Sequence, residues 1–427
     1  MSKNVFITID GKSISAPKGA NLLKVARENG FDIPGLCFHH KLSPTGACRL
    51  CLVKVEGVRG LVASCTLKVD EGMVVTAFDE ELEQTRQFLL DYLLSEHNDT
   101  YDHTYTDELR VLMFRYGLDK KENRFFKSVL ESLDFKIDSS SPVLTYDPSK
   151  CIKCFRCIKA CDEVQGKNVL SFNDRGINSY IIAGSGVWGE SECDGCGECI
   201  QLCPTGALVE KPNRETINLD KVEKRVKTTC PYCGVGCQIE LLVQNGKIVR
   251  SLGVEGVSPN DGRLCVKGRF GYEFVHSNDR LKTPLIKKEG RFVEASWDEA
   301  LDLIASKFLE IKEKYGSDAL AGYASAKCTN EDNYIFQRFI RIAFGTNNID
   351  YCTRLCHAST VTAMLKSIGD GAGSNPIEDF ETTDCLLIIG NNIVETHPIT
   401  ATYVKRGAAR GQKIIVIDPK WTPIVRY

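Results

Sequence analysis

Twenty cysteines stand in this chain of 427 residues, and sixteen of them fall into four groups of four. No other feature restricts the fold as much, because each group must meet at a point in space. The groups are Cys37, Cys48, Cys51 and Cys65; Cys151, Cys154, Cys157 and Cys161; Cys193, Cys196, Cys199 and Cys203; and Cys230, Cys233, Cys237 and Cys265. The first residues carry neither an apolar signal core nor a twin-arginine signal, so a cytoplasmic setting is expected. In that compartment clustered cysteines are not a disulfide framework. Four thiolates close a tetrahedral sulfur cage, which suits iron–sulfur clusters or zinc. Zinc is a serious rival for the last group taken alone. Three further groups with iron–sulfur spacing turn the balance to iron.

A chain of this length is expected to form several domains. Its net charge of −2 argues against nucleic acid or an anionic membrane as the main partner. It has no run of 18 apolar residues, so no transmembrane helix is expected.

Residues 3–9 alternate as a strand, Asp10-Gly11-Lys12 turns the chain, and residues 12–16 return. Asn21 to Asn29 reads as a short helix ended by Gly30. This is the start of a β-grasp layout, with Leu52 to Val55 as a further strand. Leu82, Arg86, Leu89, Leu90, Leu93 and Leu94 then suggest an amphipathic helix in a mostly helical segment. His97, His103 and nearby aspartates are weak metal candidates; a solvated connector is the plainer reading. Ser139-Ser140-Ser141-Pro142 marks a linker.

Beyond it comes a doubled Cys-x2-Cys-x2-Cys-x3-Cys run, a specific signal for two [4Fe–4S] clusters. In such modules the fourth cysteine serves the other cluster. One cube is therefore assigned Cys151, Cys154, Cys157 and Cys203, and the other Cys193, Cys196, Cys199 and Cys161. Pro204 follows Cys203, whereas Asp162 follows Cys161. Residues 162–192 form a strand-bearing insert. The last quartet frames a meander, Gln238 to Val243 and Lys247 to Ser251, around the turn Asn245-Gly246.

After residue 280, Ser296-Trp297-Asp298-Glu299 reads as a capping box opening a helix that Gly316 ends. Strands at 319–324, 385–389 and 413–417, with helices at 330–344 and 397–410, predict a parallel sheet with ligands at its carboxyl edge. This part of the chain has no Gly-x-Gly-x-x-Gly, so bound NAD is not predicted. Cys356 precedes a helix start at Ser359, which favours its thiolate, and His357 can take a proton near neutral pH. Packing is the reading for Cys328, Cys352 and Cys385.

Several of these motifs resemble known families. The first quartet resembles the N-terminal [2Fe–2S] domain of the large iron–sulfur subunit of respiratory complex I. That family usually carries His-x3-Cys-x2-Cys-x5-Cys in the connector. Here His97 stands, but Tyr101, Thr104 and Arg110 occupy the cysteine positions, so no cluster is expected there. Cys230 to Gly268 is similar to the [4Fe–4S] domain of molybdenum or tungsten bis-pterin oxidoreductases. The resemblance implies that Lys267 assists electron passage between that cube and a pterin. Arg354-Leu355-Cys356-His357-Ala358-Ser359-Thr360 resembles the metal-ligand loop of formate dehydrogenases, in which selenocysteine or cysteine is followed by histidine. Periplasmic nitrate reductases use cysteine without that histidine. By the same resemblance Asn392, Glu395, Thr396 and Asp418 lie near a pterin guanosine, and Lys420 replaces a frequent arginine.

The expected fold class is α+β and multidomain. A β-grasp [2Fe–2S] domain covers 1–78, a helical connector 79–140 and a two-cluster ferredoxin module 141–222. A small β-rich [4Fe–4S] domain covers 223–280. An incomplete α/β, Rossmann-like part of a molybdopterin oxidoreductase domain covers 281–427, so the chain reads as the N-terminal part of such a catalytic subunit. The resemblance implies a formate dehydrogenase or carbon dioxide reductase with one [2Fe–2S] cluster, three [4Fe–4S] clusters and Mo or W bis-molybdopterin guanine dinucleotide. Cys356, His357 and Lys267 would serve its chemistry, and diaphorase- or hydrogenase-type subunits in a hetero-oligomer would take its electrons. The alternatives are a non-catalytic, complex I-like relay subunit or another bis-pterin reductase such as nitrate reductase.

Overall fold

The computed structural model describes residues 3–130, 133–211 and 217–427. The backbone divides into two units, Met1–Glu273 with Ile377–Tyr427, and Phe274–Pro376. In the first unit, alternation turns Val5, Ile7 and Ile9 of strand Asn4–Ile9 into the core. Asp10 and Gly11 both take positive φ, and the hairpin closes with Ile9 opposite Lys12. The sheet has five strands, in the order Lys12–Pro17, Asn4–Ile9, Val74–Thr76, Leu52–Val55, Val62–Ala63. Helix Leu22–Glu28 is capped by the Asn21 side chain and buries Leu22, Leu23, Val25 and Ala26. Each large apolar side chain so buried stabilises the sheet by about 1.5–3 kcal/mol.

Helix Glu80–Ser95 is capped by Asp79 and packs Leu82, Leu90 and Leu94 inward. Arg86, fully buried, donates at 2.7 Å to the carbonyls of Leu52 and Ala77 and pairs with Glu83. Its stem explains why it fits an apolar stripe, while its fork ties helix to sheet. A second helix runs Glu108–Arg115. The rest of 79–140, apart from 131–132, which lie outside the described residues, is less helical than the pattern predicts. Asn98 and Asp102 accept bonds from the backbone of Thr100 and Thr104, and such local bonds compete with helix, whereas Asp107 caps the helix that follows it.

The next segment repeats itself. Helices Arg156–Lys159 and Glu198–Gln201 each start from a left-handed residue, Phe155 (φ 68°) and Gly197 (φ 71°). Strand pairs Leu144–Tyr146 with Leu208–Glu210, and Leu170–Asn173 with Tyr180–Ala183, frame them. Then comes a three-stranded meander, Lys224–Thr229, Gln238–Gln244 and Lys247–Gly253, and the short helix Val266–Phe270. The last part of this unit pairs Cys385–Ile389 with Lys413–Ile417 in parallel. Leu386, Ile388, Ile414 and Val416 pack with Ala401 and Val404 of helix Pro398–Ala409. Leu387, Ile389, Ile415 and Ile417, on the opposite face, are exposed.

The second unit holds hairpin Leu285–Lys288 with Arg291–Glu294, helix Trp297–Tyr315 and the parallel pair Gly322–Ala324 with Ile349–Tyr351. The predicted parallel sheet is thus two separate pairs, one per unit. Ser296 caps its helix, but Glu299 bonds Lys288 at 2.8 Å, so among the described contacts only half of the expected box is seen. A complete capping box is found at Thr329 and Asp332 instead. The stripe Trp297, Leu301, Ile304 and Phe308 is exposed. No helix among the described residues is long and apolar enough to cross a membrane.

Candidate metal centres and the Cys356 loop

All four quartets lie in the first unit. Cys37, Cys48, Cys51 and Cys65 are buried, and Cys48 Sγ lies 3.5 Å from Cys37 Sγ. Cys51 leads into strand Leu52–Val55, and Cys65 sits on the short turn Ser64–Thr66 that bonds back to the Cys51 carbonyl. Hydrogen bonds from Cys48 and Cys65 favour the thiolate at Cys37, while Cys48 and Cys65 are driven up.

In the repeated segment the geometry crosses over. One cavity is lined by Cys151, Cys154, Cys157 and Cys203, and another by Cys161, Cys193 and Cys196. The negative charge of Cys161 also bears on Cys199. In the meander segment Cys230, Cys233 and Cys237 share one core, and the Cys230 amide donates to the Cys237 carbonyl at 2.8 Å. Cys265 stands at the start of helix Val266–Phe270, and its charge bears on Cys230 and Cys237. Burial, reinforced by neighbouring sulfurs, pushes Cys151 up to about 11, and Cys237 up to about 12. Such sets are poorly stable as bare thiolates, and a bound cation is what deprotonates them. The donor set therefore fits iron–sulfur clusters. Lys267 is exposed, yet its charge reaches Cys230 and favours ionisation there.

The connector differs. His97 is buried, its pKa pushed down to about 4 by burial, and its Nδ1 has no partner among the described residues. Arg110 stacks on Tyr101 at 4.2 Å, and Tyr101 and His103 both bond Asp220, at 2.8 and 2.6 Å. His39, His40 and Glu255 also converge. There Lys41, 3.1 Å from Glu255 and bonded to the Asp261 carbonyl at 2.6 Å, supplies a fixed counter-charge, which makes the group an ion-pair network.

Asn392 follows the carboxyl end of strand Cys385–Ile389, and Asp418 that of Lys413–Ile417. Buried Asn392 Oδ1 has no partner among the described residues, and Asp418 and Lys420 line a cavity of about 430 Å³. An orphan acceptor and a carboxylate at one strand edge fit a hydrogen-bonding nucleotide. Glu395 and Thr396 are exposed on the following turn.

Cys356 and His357 lie in the second unit. Cys356 ends the turn Thr353–Cys356, and His357 precedes helix Ala358–Ser367, one residue earlier than the predicted start. The thiol is exposed. Cys328, Cys352 and Cys385 are exposed too, which corrects the packing reading: Cys385, for one, shares the bare face of its strand with Leu387 and Ile389.

Residues 2–79 match the 2Fe-2S iron-sulfur cluster binding domain, and 141–209 the ferredoxin-like domain of NADH-quinone oxidoreductase subunit 3. Residues 223–277 match the molybdopterin oxidoreductase Fe4S4 domain, and 280–427 molybdopterin oxidoreductase. The chain joins iron–sulfur domains to a molybdopterin oxidoreductase domain. A Bacillus subtilis (strain 168) protein, provisionally named an oxidoreductase, is 32% identical over 96% of this chain and 46% of its own. A Staphylococcus aureus (strain MSSA476) protein, provisionally named a formate dehydrogenase, is 31% identical over 98% and 46%. The chain spans about half the length of the curated relatives it matches. The crystal structure of an NAD+-reducing [NiFe]-hydrogenase in its H2-reduced state is 31% identical, covering 49% of this chain and 88% of that one, with a TM-score of 0.45. Motif reading passes over two buried residues beside the thiols, Arg156 and Arg269. Their only sequence signal is position, inside Cys154-Phe155-Arg156-Cys157 and four residues after Cys265.

Proposed function

We propose that this chain is the iron–sulfur-bearing part of a molybdenum- or tungsten-dependent formate dehydrogenase, working reversibly between formate and carbon dioxide. The observation that carries this is Cys356-His357 in a molybdopterin oxidoreductase domain that follows four complete thiol quartets. When bound, a Mo or W bis-pterin centre supplies a two-electron acceptor for the C–H bond of formate. Cys356 would hold the metal, and His357 would hold or pass the proton. Asn392, Glu395, Thr396 and Asp418 would hold the pterin guanosine, with Lys420 beside them. The Lys267 ammonium would favour electron passage to the cage of Cys230, Cys233, Cys237 and Cys265. From there the crossed quartets and the first quartet would lead electrons to a diaphorase- or hydrogenase-type partner.

Elemental analysis of the full-length protein tests this. Mo or W is expected beside iron, together with formate-dependent dye reduction. Iron without Mo or W would replace this reading with a non-catalytic relay. Nitrate reduction without formate oxidation would point to a different bis-pterin reductase.

A further inference from the structure

Two arginines hold matching places between successive cages. Arg156, 3% exposed, stands between Cys154 and Cys157. Its Nη2 donates at 2.9 Å to the carbonyl of Phe38, the neighbour of Cys37. Its fork also grips Glu108 at 2.7 and 3.0 Å. Arg269, 2% exposed, lies one helical turn beyond Cys265. Its Nε donates at 2.7 Å to the carbonyl of Cys196, Nη1 reaches Gln201 at 2.6 Å, and Nη2 meets Glu198 at 3.2 Å. Glu198 is wholly buried, and its other oxygen has no partner among the described residues. The backbone makes room for this: a Cβ at Gly197 would lie 2.2 Å from Arg269 Cδ.

A buried guanidinium is expensive to desolvate, and replacing such pairs with apolar groups often costs no stability. Their repetition at two junctions therefore calls for a role in the path. We propose that Arg156 and Arg269 are positioning residues of the electron relay, each fixing two successive cages and setting the reduction potential at its junction. Arg269 serves the step between the cage of Cys265 and that of Cys196. Arg156 serves the step between the cage of Cys154 and that of Cys37. One electron leaves one cage, which is oxidised, and enters the next, which is reduced. No bond or proton moves; each guanidinium, its charge offset in part by Glu108 or Glu198, turns an N–H towards a cage carbonyl and so favours the reduced member. This rests on reading the quartets as cluster cages, but not on formate as substrate.

The test is an EPR-monitored redox titration of the full-length holoprotein, reduced with dithionite. In Arg269→Gln, iron content should be unchanged. At fixed poise the reduced-to-oxidised ratio of the second cube should fall about tenfold, equivalent to about 59 mV for one electron. Arg269→Lys should restore most of it, and Arg156→Gln should shift the first cube and the [2Fe–2S] signal instead. If Arg269→Gln does not accumulate, Glu198→Gln keeps Arg269 and removes the charge that opposes it; its iron should stay full and the reduced-to-oxidised ratio of the second cube should rise instead. Variants with full iron and unmoved potentials overturn the proposal alone. Wild-type protein without cube signals overturns the cage assignment and the proposal together. Wild type with cubes but no formate activity removes only the substrate.

Discussion

The thiols of the first unit and those of the second solve different problems. In the first, sixteen cysteines are gathered into cages, and each is buried or half-buried. In the second, Cys328, Cys352 and Cys356 are exposed. A cage must exclude water and hold four sulfurs, so short loops with left-handed residues such as Phe155 and Gly197 bend each one inward. A thiol meant to reach a large organic cofactor needs access instead. Burial thus separates the sixteen caged thiols from the open ones, Cys385 of the first unit included, and under the proposed function the first kind conducts while Cys356 binds.

The hardest test of this contrast is Cys196→Ala. Removing one sulfur from the second cage should cost a whole cube, about four iron atoms per chain. Iron analysis and EPR read this directly; unchanged iron would contradict the crossed cages. Next comes Cys356→Ser. Iron and the cube signals should stay as in wild type, because no cage residue changes. Formate-dependent dye reduction should fall by more than about 100-fold, the upper loss seen when groups that merely orient a ligand are removed. Full activity would remove Cys356 from the metal.

Much of the first unit could be read from residues alone, because cysteine spacing is a local signal. The hairpin at Asp10-Gly11 and the meander turn at Asn245-Gly246 were legible for the same reason: positive φ selects those residues. The bridges of Arg156 to Phe38 and Arg269 to Cys196 were not legible, since they span 118 and 73 residues. Nor was the division of the parallel strands into two pairs, because periodicity states that a strand exists and not which strand it meets. Cys385 shows the limit plainly: an apolar run reads as buried, yet only one face of that pair is covered.

His97 sharpens the comparison from inside the first unit, as a ligand-type residue left without thiol companions. Burial holds its pKa at about 4, below the ordinary value of 6.5. The folded protein therefore binds fewer protons than the unfolded chain between those values. The stabilising effect is full above about pH 6.5 and is lost as pH falls towards 4. Its size is roughly 3 kcal/mol. The His97→Leu variant should lose less thermal stability than wild type between neutral and acid pH. Parallel pH profiles would show that His97 is already protonated in the fold, or that water reaches it.

The smallest effect belongs to the second unit. Thr329 accepts the Asp332 amide at 3.1 Å while the Asp332 carboxylate accepts the Thr329 amide at 3.2 Å. Both bonds are exposed, so Thr329→Ala should destabilise the unit by only about 1 kcal/mol, with Thr329→Ser nearly neutral. Because the bonds lie far along the chain from every cage residue, iron content and potentials should not move. Hydrogen exchange along Asn330–Phe339 measures the loss locally. If the cap variant instead lowered iron content, the two units would share their stability, and the contrast drawn between the caged thiols of the first and the open thiols of the second would have to be abandoned.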